Sequence, residues 1–458
     1  MDTNLAARLW QQLWHGLRDE HTPVPQIVWQ GHDAFCSVYP VSELAAASIA
    51  LAAQAAAALT GNPAKPRLDA HLASRWFQHS FRPINRPLPP AWDAFAGDYQ
   101  TADGWIRLHT NAPHHRQSME RVLGKQPDRA ALARIVAGWQ KQTLEQAIVD
   151  AGGCAAEMRS LEAWRQHPQG QSVAQEPLIA WQSQAESAPP AWALPIARPL
   201  HGVRVLDLTR VIAGPVATRF LAGLGAEVLR LDPPDWEEPT LEEEMMLGKR
   251  CARLDLKSDA GRQQFERLLM QTDVLVHGYR ADALEALGYD SARLQQLAPG
   301  LIDVSLNAWG WSGPWRNRRG FDSLVQMACG IADAGRRWRG ADTPQPLPVQ
   351  ALDHATGYLM AAAALEGMRQ RVTHGTGVRA RLSLARTAHL LTSHPYPAGM
   401  AAAGLAPSLP YDERDTLELT PLGLGYRLKP PFWLPGTPLL WSRAGGPLGA
   451  AEPIWLTP

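Results

Sequence analysis

From Gly202 onward the chain alternates short runs of β-branched and aliphatic residues with stretches of helical spacing. The runs fall at 203–208, 227–231, 251–256, 273–277 and 301–306. Strands separated by segments of helix length are joined by crossovers, which are right-handed and lay the strands parallel. The pattern predicts a Rossmann-like α/β core over 201–395. Pro215 suits the first turn of the helix after the first run, and Ser258 can cap a helix reaching about Met270.

Upstream the texture differs. Residues 1–185 read as helical, with one short strand at 105–109. Pro189, Pro190 and Pro195 make 186–200 a linker that cannot stay helical. An internal similarity relates the stretch after Pro40 to the stretch after Pro348. Both enter alanine-rich helices, reach turns at Gly61 and at Gly375 or Gly377, and continue as Arg67-Leu-Asp and Arg381-Leu-Ser. Either two alanine-rich helices resemble each other by composition, or the first is a degenerate copy of the second.

Bulk properties narrow the functional classes. Lysine plus arginine and aspartate plus glutamate both total 44, so no net field attracts nucleic acid. Cys36, Cys154, Cys251 and Cys329 form no CxxC pair, and the fifteen histidines form no HxH or HxxxH set, so neither a zinc site nor a disulfide framework is expected. The first twenty residues lack the apolar run of a signal peptide, and 44–59 reads as too short and too weakly apolar to span a bilayer. These features predict a cytoplasmic protein with no membrane partner.

The chemistry concentrates after the first strand of the core. Ligands on open α/β sheets bind beyond the carboxyl ends of the strands. The loop 209–215 lacks the GxGxxG pattern of dinucleotide sites. Its amides, together with Arg210, could receive a phosphate or a pantetheine amide; equally, Gly214 and Pro215 could only shape a turn. Asp353 ends an apolar stretch at the start of an alanine-rich helix. A carboxylate there suits an N-cap, where the helix dipole would keep it ionised.

The ordered series at 202–218, 224–234, 248–258, 283–289, 310–315 and 320–326 resembles the class III CoA-transferase family (the CaiB/BaiF type). The resemblance runs from about 200 to 390. It implies a Rossmann-like parallel sheet core with a smaller α+β domain at 96–185, preceded by a helical segment at 1–95, and an extended closing tail at 396–458, and it places the family's nucleophilic aspartate on Asp353. It further implies that Arg210, Val211 and Ala213 line the pantetheine and nucleotide path. Lys257, Gly278, Tyr279 and Arg280 would surround the adenosine and phosphates, and Arg319, Phe321 and Asp322 would border the thioester. The expected substrates are an acyl-CoA and a carboxylate acceptor, with coenzyme A entering as a thioester substrate and no permanently bound cofactor or metal. A homodimer is implied as well.

Two alternatives stand beside this reading. Acyl-CoA racemases or isomerases of the same fold use a histidine in a Gly-His-Asp segment. Here the segment is Gly320, Phe321 and Asp322, and phenylalanine cannot accept a proton. His354, adjacent to Asp353, reads as a surface or supporting histidine, and Glu43 as a remnant or surface charge in the degenerate copy. The second alternative is a non-catalytic CoA-binding subunit. It arises because the family's glycine-rich loop has no counterpart, and because segments resembling its small domain (97–108, 152–170) precede the sheet, a permuted order relative to the family.

Overall fold

The structure is a computed structural model and describes residues 1–280, 282–397 and 404–456. Its centre is a seven-stranded sheet built from β1 (Ala180–Glu186), β2 (Arg204–Leu208), β3 (Glu227–Asp232), β4 (Lys249–Arg253), β5 (Val274–His277), β6 (Ile302–Asn307) and β7 (Thr376–Ser383). The spatial order is β4-β3-β2-β5-β6-β7-β1. All neighbours are parallel except β1, which runs antiparallel to β7. The α/β expectation holds, and the interior strands read as continuous apolar runs because both faces are covered.

Two differences have clear causes. The strand expected at 251–256 lies at Lys249–Arg253, paired from Lys249 with Val228. Apolar patterning missed Lys249 because its buried ammonium is neutralised by Asp207 at 3.0 Å. Residues 180–186 were assigned to the small domain and the linker, yet they form the edge strand β1. Its side chains are mostly half-buried or exposed, so it carries no apolar signature.

Six helices position the site: α1 (Thr3–Leu17), α2 (Val41–Thr60), α3 (Ala213–Gly223), α4 (Asp259–Leu269), α5 (Asp322–Ala328) and α6 (Ala351–His374). Ser258 caps α4 by accepting the Gly261 N–H at 3.1 Å. The long helix α6 packs against both α2 and α3. α2 spans 20 residues and is apolar enough to cross a membrane by length and composition, contrary to the expectation for 44–59, but 89% of its apolar window is buried inside the protein. Small alanine side chains let α2 and α6 approach closely. Both helices open with the same backbone turn (Pro40 at φ −76°, ψ 68°; Gln350 at φ −76°, ψ 66°) and end on left-handed Gly61 and Gly375.

Upstream residues hold more β structure than their helical texture predicts. Gly97–Thr101, Gly104–Leu108 and Ala155–Glu157 form an antiparallel sheet. This part docks on the core through a buried charge cluster. Arg159 and Arg318 both pair with Glu145, at 2.7 and 3.1 Å, and the Arg159 N–H donates to the Met327 carbonyl. The tail is not simply extended: Glu418–Thr420 and Gly423–Arg427 form a hairpin on Phe81–Pro83, while Phe432–Trp433 pairs with Arg67–Asp69. Glu244 ties three distant segments together. Its carboxylate accepts the Ser80 and Phe81 N–H groups and pairs with Arg219 and Arg427.

Candidate active site

Asp353 sits on the third residue of α6, not at its cap. Gln350 occupies the cap, and no side chain caps the helix. One turn later, Gly357 meets α3 so closely that a Cβ would lie 2.3 Å from the Ala213 carbonyl oxygen and 2.7 Å from the Val216 Cβ. Only glycine permits that approach, and it brings the start of α6 against the loop that leads into α3. The start of α6 therefore lies against the start of α3.

Its carboxyl is buried, and Asp322 lies next to it. Asp322, at the start of α5, accepts the Asp353 backbone N–H at 2.8 Å and the Gln326 side-chain amide. Burial pushes the Asp322 carboxyl up to about 6. Burial, reinforced by the Asp322 charge, raises Asp353 well above the usual carboxylate range. The expectation that the helix dipole keeps Asp353 ionised is thus corrected: loss of water and a like charge outweigh the dipole. His354 points elsewhere, buried and stacked on Phe77 at 5.0 Å. It is not a surface residue. Glu43, also the third residue of its helix, is buried as well and accepts the Asp2 N–H and the Tyr396 hydroxyl.

The loop after β2 is held firmly. Val211 has φ 64°, a left-handed conformation that β-branched residues rarely adopt. Its N–H donates to Glu238 at 2.7 Å. Arg210 lies between two aromatic rings, 4.5 Å from the Trp236 centroid and 5.7 Å from that of Tyr279. Tyr279 belongs to the loop after β5, which neighbours β2, so Gly278 and Tyr279 share this edge with Arg210, Val211 and Ala213. Arg280 is exposed, and its nearest charge is Asp282 at 3.9 Å. Lys257 is exposed beyond β4, two strands from β2, and its side chain joins no ion pair among the described residues.

Asp322 is buried beside Asp353, and Phe321 precedes it at the cap of α5. Arg319 donates to the Gly152 carbonyl at 2.9 Å, tying residues 97–157 to this part of the core. The sequence reading passed over what that segment brings. His109 stacks face to face on Phe321, with centroids 3.8 Å apart, and His115 meets the same ring edge-on. Burial first, then neighbouring cations, push both imidazoles down to about 3. His114 is lowered by burial and by Arg319 and Arg210. The pair His114 and His115 opens a helix, Pro113–Leu123, and His115 reaches Phe321 from its first turn. Three histidines within seven residues were the available signal.

Residues 200–416 match the model of CoA-transferase family III. This stretch of the chain is similar to that family. An acyl-CoA transferase of Gibberella moniliformis is 29% identical over 337 residues, which are 66% of this chain and 59% of that protein. A probable fatty acyl-CoA transferase of Mycobacterium tuberculosis is 33% identical over 193 residues, 39% of this chain and 48% of that one. A crystal structure from the same organism is 30% identical, with a TM-score of 0.40, and covers 43% of this chain and 58% of that one. The chain thus spans 59% and 48% of the two relatives' own lengths. The family III match contains every site residue named above from Arg210 to Asp353, whereas His109, His114 and His115 lie outside it.

Proposed function

We propose that the protein moves coenzyme A from an acyl-CoA thioester to a carboxylic acid, with Asp353 as the nucleophile. The observation that supports this most directly is a buried carboxylate one turn before Gly357, where α6 packs against Ala213 and Val216 at the start of α3. An ionised Asp353 oxygen attacks the thioester carbonyl, the C–S bond breaks, and CoA leaves as thiolate. The thiolate then attacks the aspartyl carbonyl of the mixed anhydride, releasing the donor acid and leaving an aspartyl-CoA thioester. An acceptor carboxylate attacks that thioester and again expels the thiolate. Attack of the thiolate on the acceptor's acyl carbon forms the new acyl-CoA and restores Asp353. Covalent catalysis of this kind divides one difficult transfer into easier steps.

Burial suits that chemistry. A carboxylate stripped of water is a stronger nucleophile, and an anhydride in a covered site escapes hydrolysis. Mass spectrometry after incubation with acyl-CoA thioesters and trapping by hydroxylamine or borohydride tests the proposal. The expected result is a modification on Asp353 that is absent in Asp353→Ala. CoA binding without any adduct would point instead to the non-catalytic subunit, or to α-proton exchange detectable in deuterated water.

A further inference from the structure

We infer that Glu238 is a positioning residue for the acyl-CoA, acting by holding Val211 in a backbone conformation that the loop would otherwise leave. This rests on the CoA reading of loop 209–213. A valine at φ 64° places its branched Cβ against its own backbone, and such a residue persists only where its surroundings over-determine it. Here the restraint is visible. One Glu238 oxygen accepts the Val211 N–H at 2.7 Å, and the other accepts from Arg230 at 2.7 Å. Arg230 is fully buried and is itself gripped by both oxygens of Asp232, at 2.8 and 2.9 Å.

The chain of contacts therefore runs from the rigid strand β3, through a buried ion triad, to a single strained peptide. Two residues before Glu238, Trp236 lies under the Arg210 guanidinium. Residues 236–238 thus hold both Arg210 and Val211, although they lie in an irregular segment whose pattern marks no site. Glu238 touches neither Asp353 nor Asp322. It shapes the wall along which the thioester enters, so its loss lowers the fraction of molecules whose loop is ready to bind. Apparent affinity falls in proportion to that fraction.

The test is a double-mutant cycle on KM and kcat with an acyl-CoA donor. Glu238→Ala is expected to raise the KM for acyl-CoA by about tenfold or more while kcat changes little. Arg230 keeps its Asp232 partner, so a cooperative thermal transition should remain. In a Val211→Gly background the same Glu238→Ala change should raise KM far less, because glycine adopts the left-handed conformation without help. An unchanged KM, a fall in kcat alone, or an equal effect in both backgrounds would overturn the inference. A crystal structure of Glu238→Ala decides the loop claim separately: Val211 should relax to negative φ, and persistence near 64° sinks the idea. If the wild-type protein binds no acyl-CoA by calorimetry, the functional reading fails, and that structure still tests the restraint.

Discussion

The backbone N–H of Asp353 donates to the side chain of Asp322 at 2.8 Å, so two buried carboxyl groups meet at the junction of α5 and α6. Burial raises both, and the Asp322 charge raises Asp353 further. The nucleophile proposed for the site is therefore one that must lose its proton against its surroundings. The pair titrates as a unit, and its steps belong to both residues.

The first prediction concerns pH. Transfer requires ionised Asp353, so the rate should fall as pH drops through a value above the ordinary carboxylate range. Asp322→Asn removes the neighbouring charge and keeps an oxygen to accept the Asp353 N–H. The acid limb should move to lower pH, with faster adduct formation near pH 6. Adduct formation by quenched mass spectrometry across pH checks this, and an unmoved limb would remove Asp322 from the mechanism.

Stability should carry the opposite signature. Both carboxyls have folded pKa values above their unfolded ones, so the stability they contribute is complete below about pH 4. It is lost as pH rises through about 6 for Asp322 and beyond that for Asp353. Asp353→Asn should therefore raise the melting temperature by several degrees at pH 8 and by much less at pH 5. A thermal-shift series across that range is enough to see it, and an equal change at both pH values would contradict the burial argument.

Gly357→Ala should be harmful out of proportion to one methyl group. The new Cβ would lie 2.3 Å from the Ala213 oxygen, and backbone on one side and Val216 on the other leave no flexible side chain to yield. Forcing α3 and α6 apart should cost about 1–3 kcal/mol and shift Asp353 relative to α3. Urea unfolding and Asp353 trapping should both register the change, with reactivity lost by more than stability explains.

Glu244 should control cohesion between the N-terminal segment, the core and the tail. Its burial disfavours the charge, but Arg219 and Arg427 more than offset this and hold the carboxyl down at about 2. A lowered folded pKa contributes stability above the unfolded value near 4.5, lost as pH falls towards 2. Glu244→Gln leaves the buried Arg219 guanidinium without its carboxylate, while Arg427 keeps Glu418 at 2.6 Å, and should cost about 3–5 kcal/mol at neutral pH. The difference from wild type should shrink in acid. A urea midpoint unchanged at pH 7 would show that the three segments hold together by apolar packing alone.

Much of the core was legible because its rules are local. Apolar runs at 203–208, 273–277 and 301–306 appear as parallel strands within a residue of their expected ends, since strands buried on both faces must be apolar throughout. The N-cap of α4 was legible for a similar reason: a serine before a helix satisfies backbone N–H groups that have no other partner. The edge strand β1 was not, because a half-exposed antiparallel edge can be polar at nearly every position.

By its own content the sequence determined the strand series and the loop after the first strand, which depend on residue type and spacing along the chain, while Asp353 became the candidate nucleophile through the resemblance of the motif series to a known family. Only the tertiary structure decided that Asp353 would be buried beside Asp322 and raised, since desolvation and charge proximity are properties of neighbours 31 residues away in sequence. It also decided that His109 would lie on Phe321, that Glu238 would restrain Val211, and that Lys257 would stand two strands from β2. Contacts across hundreds of residues leave no periodicity to read. They arise from which surfaces meet when the sheet, the two alanine-rich helices and the small domain close on one another.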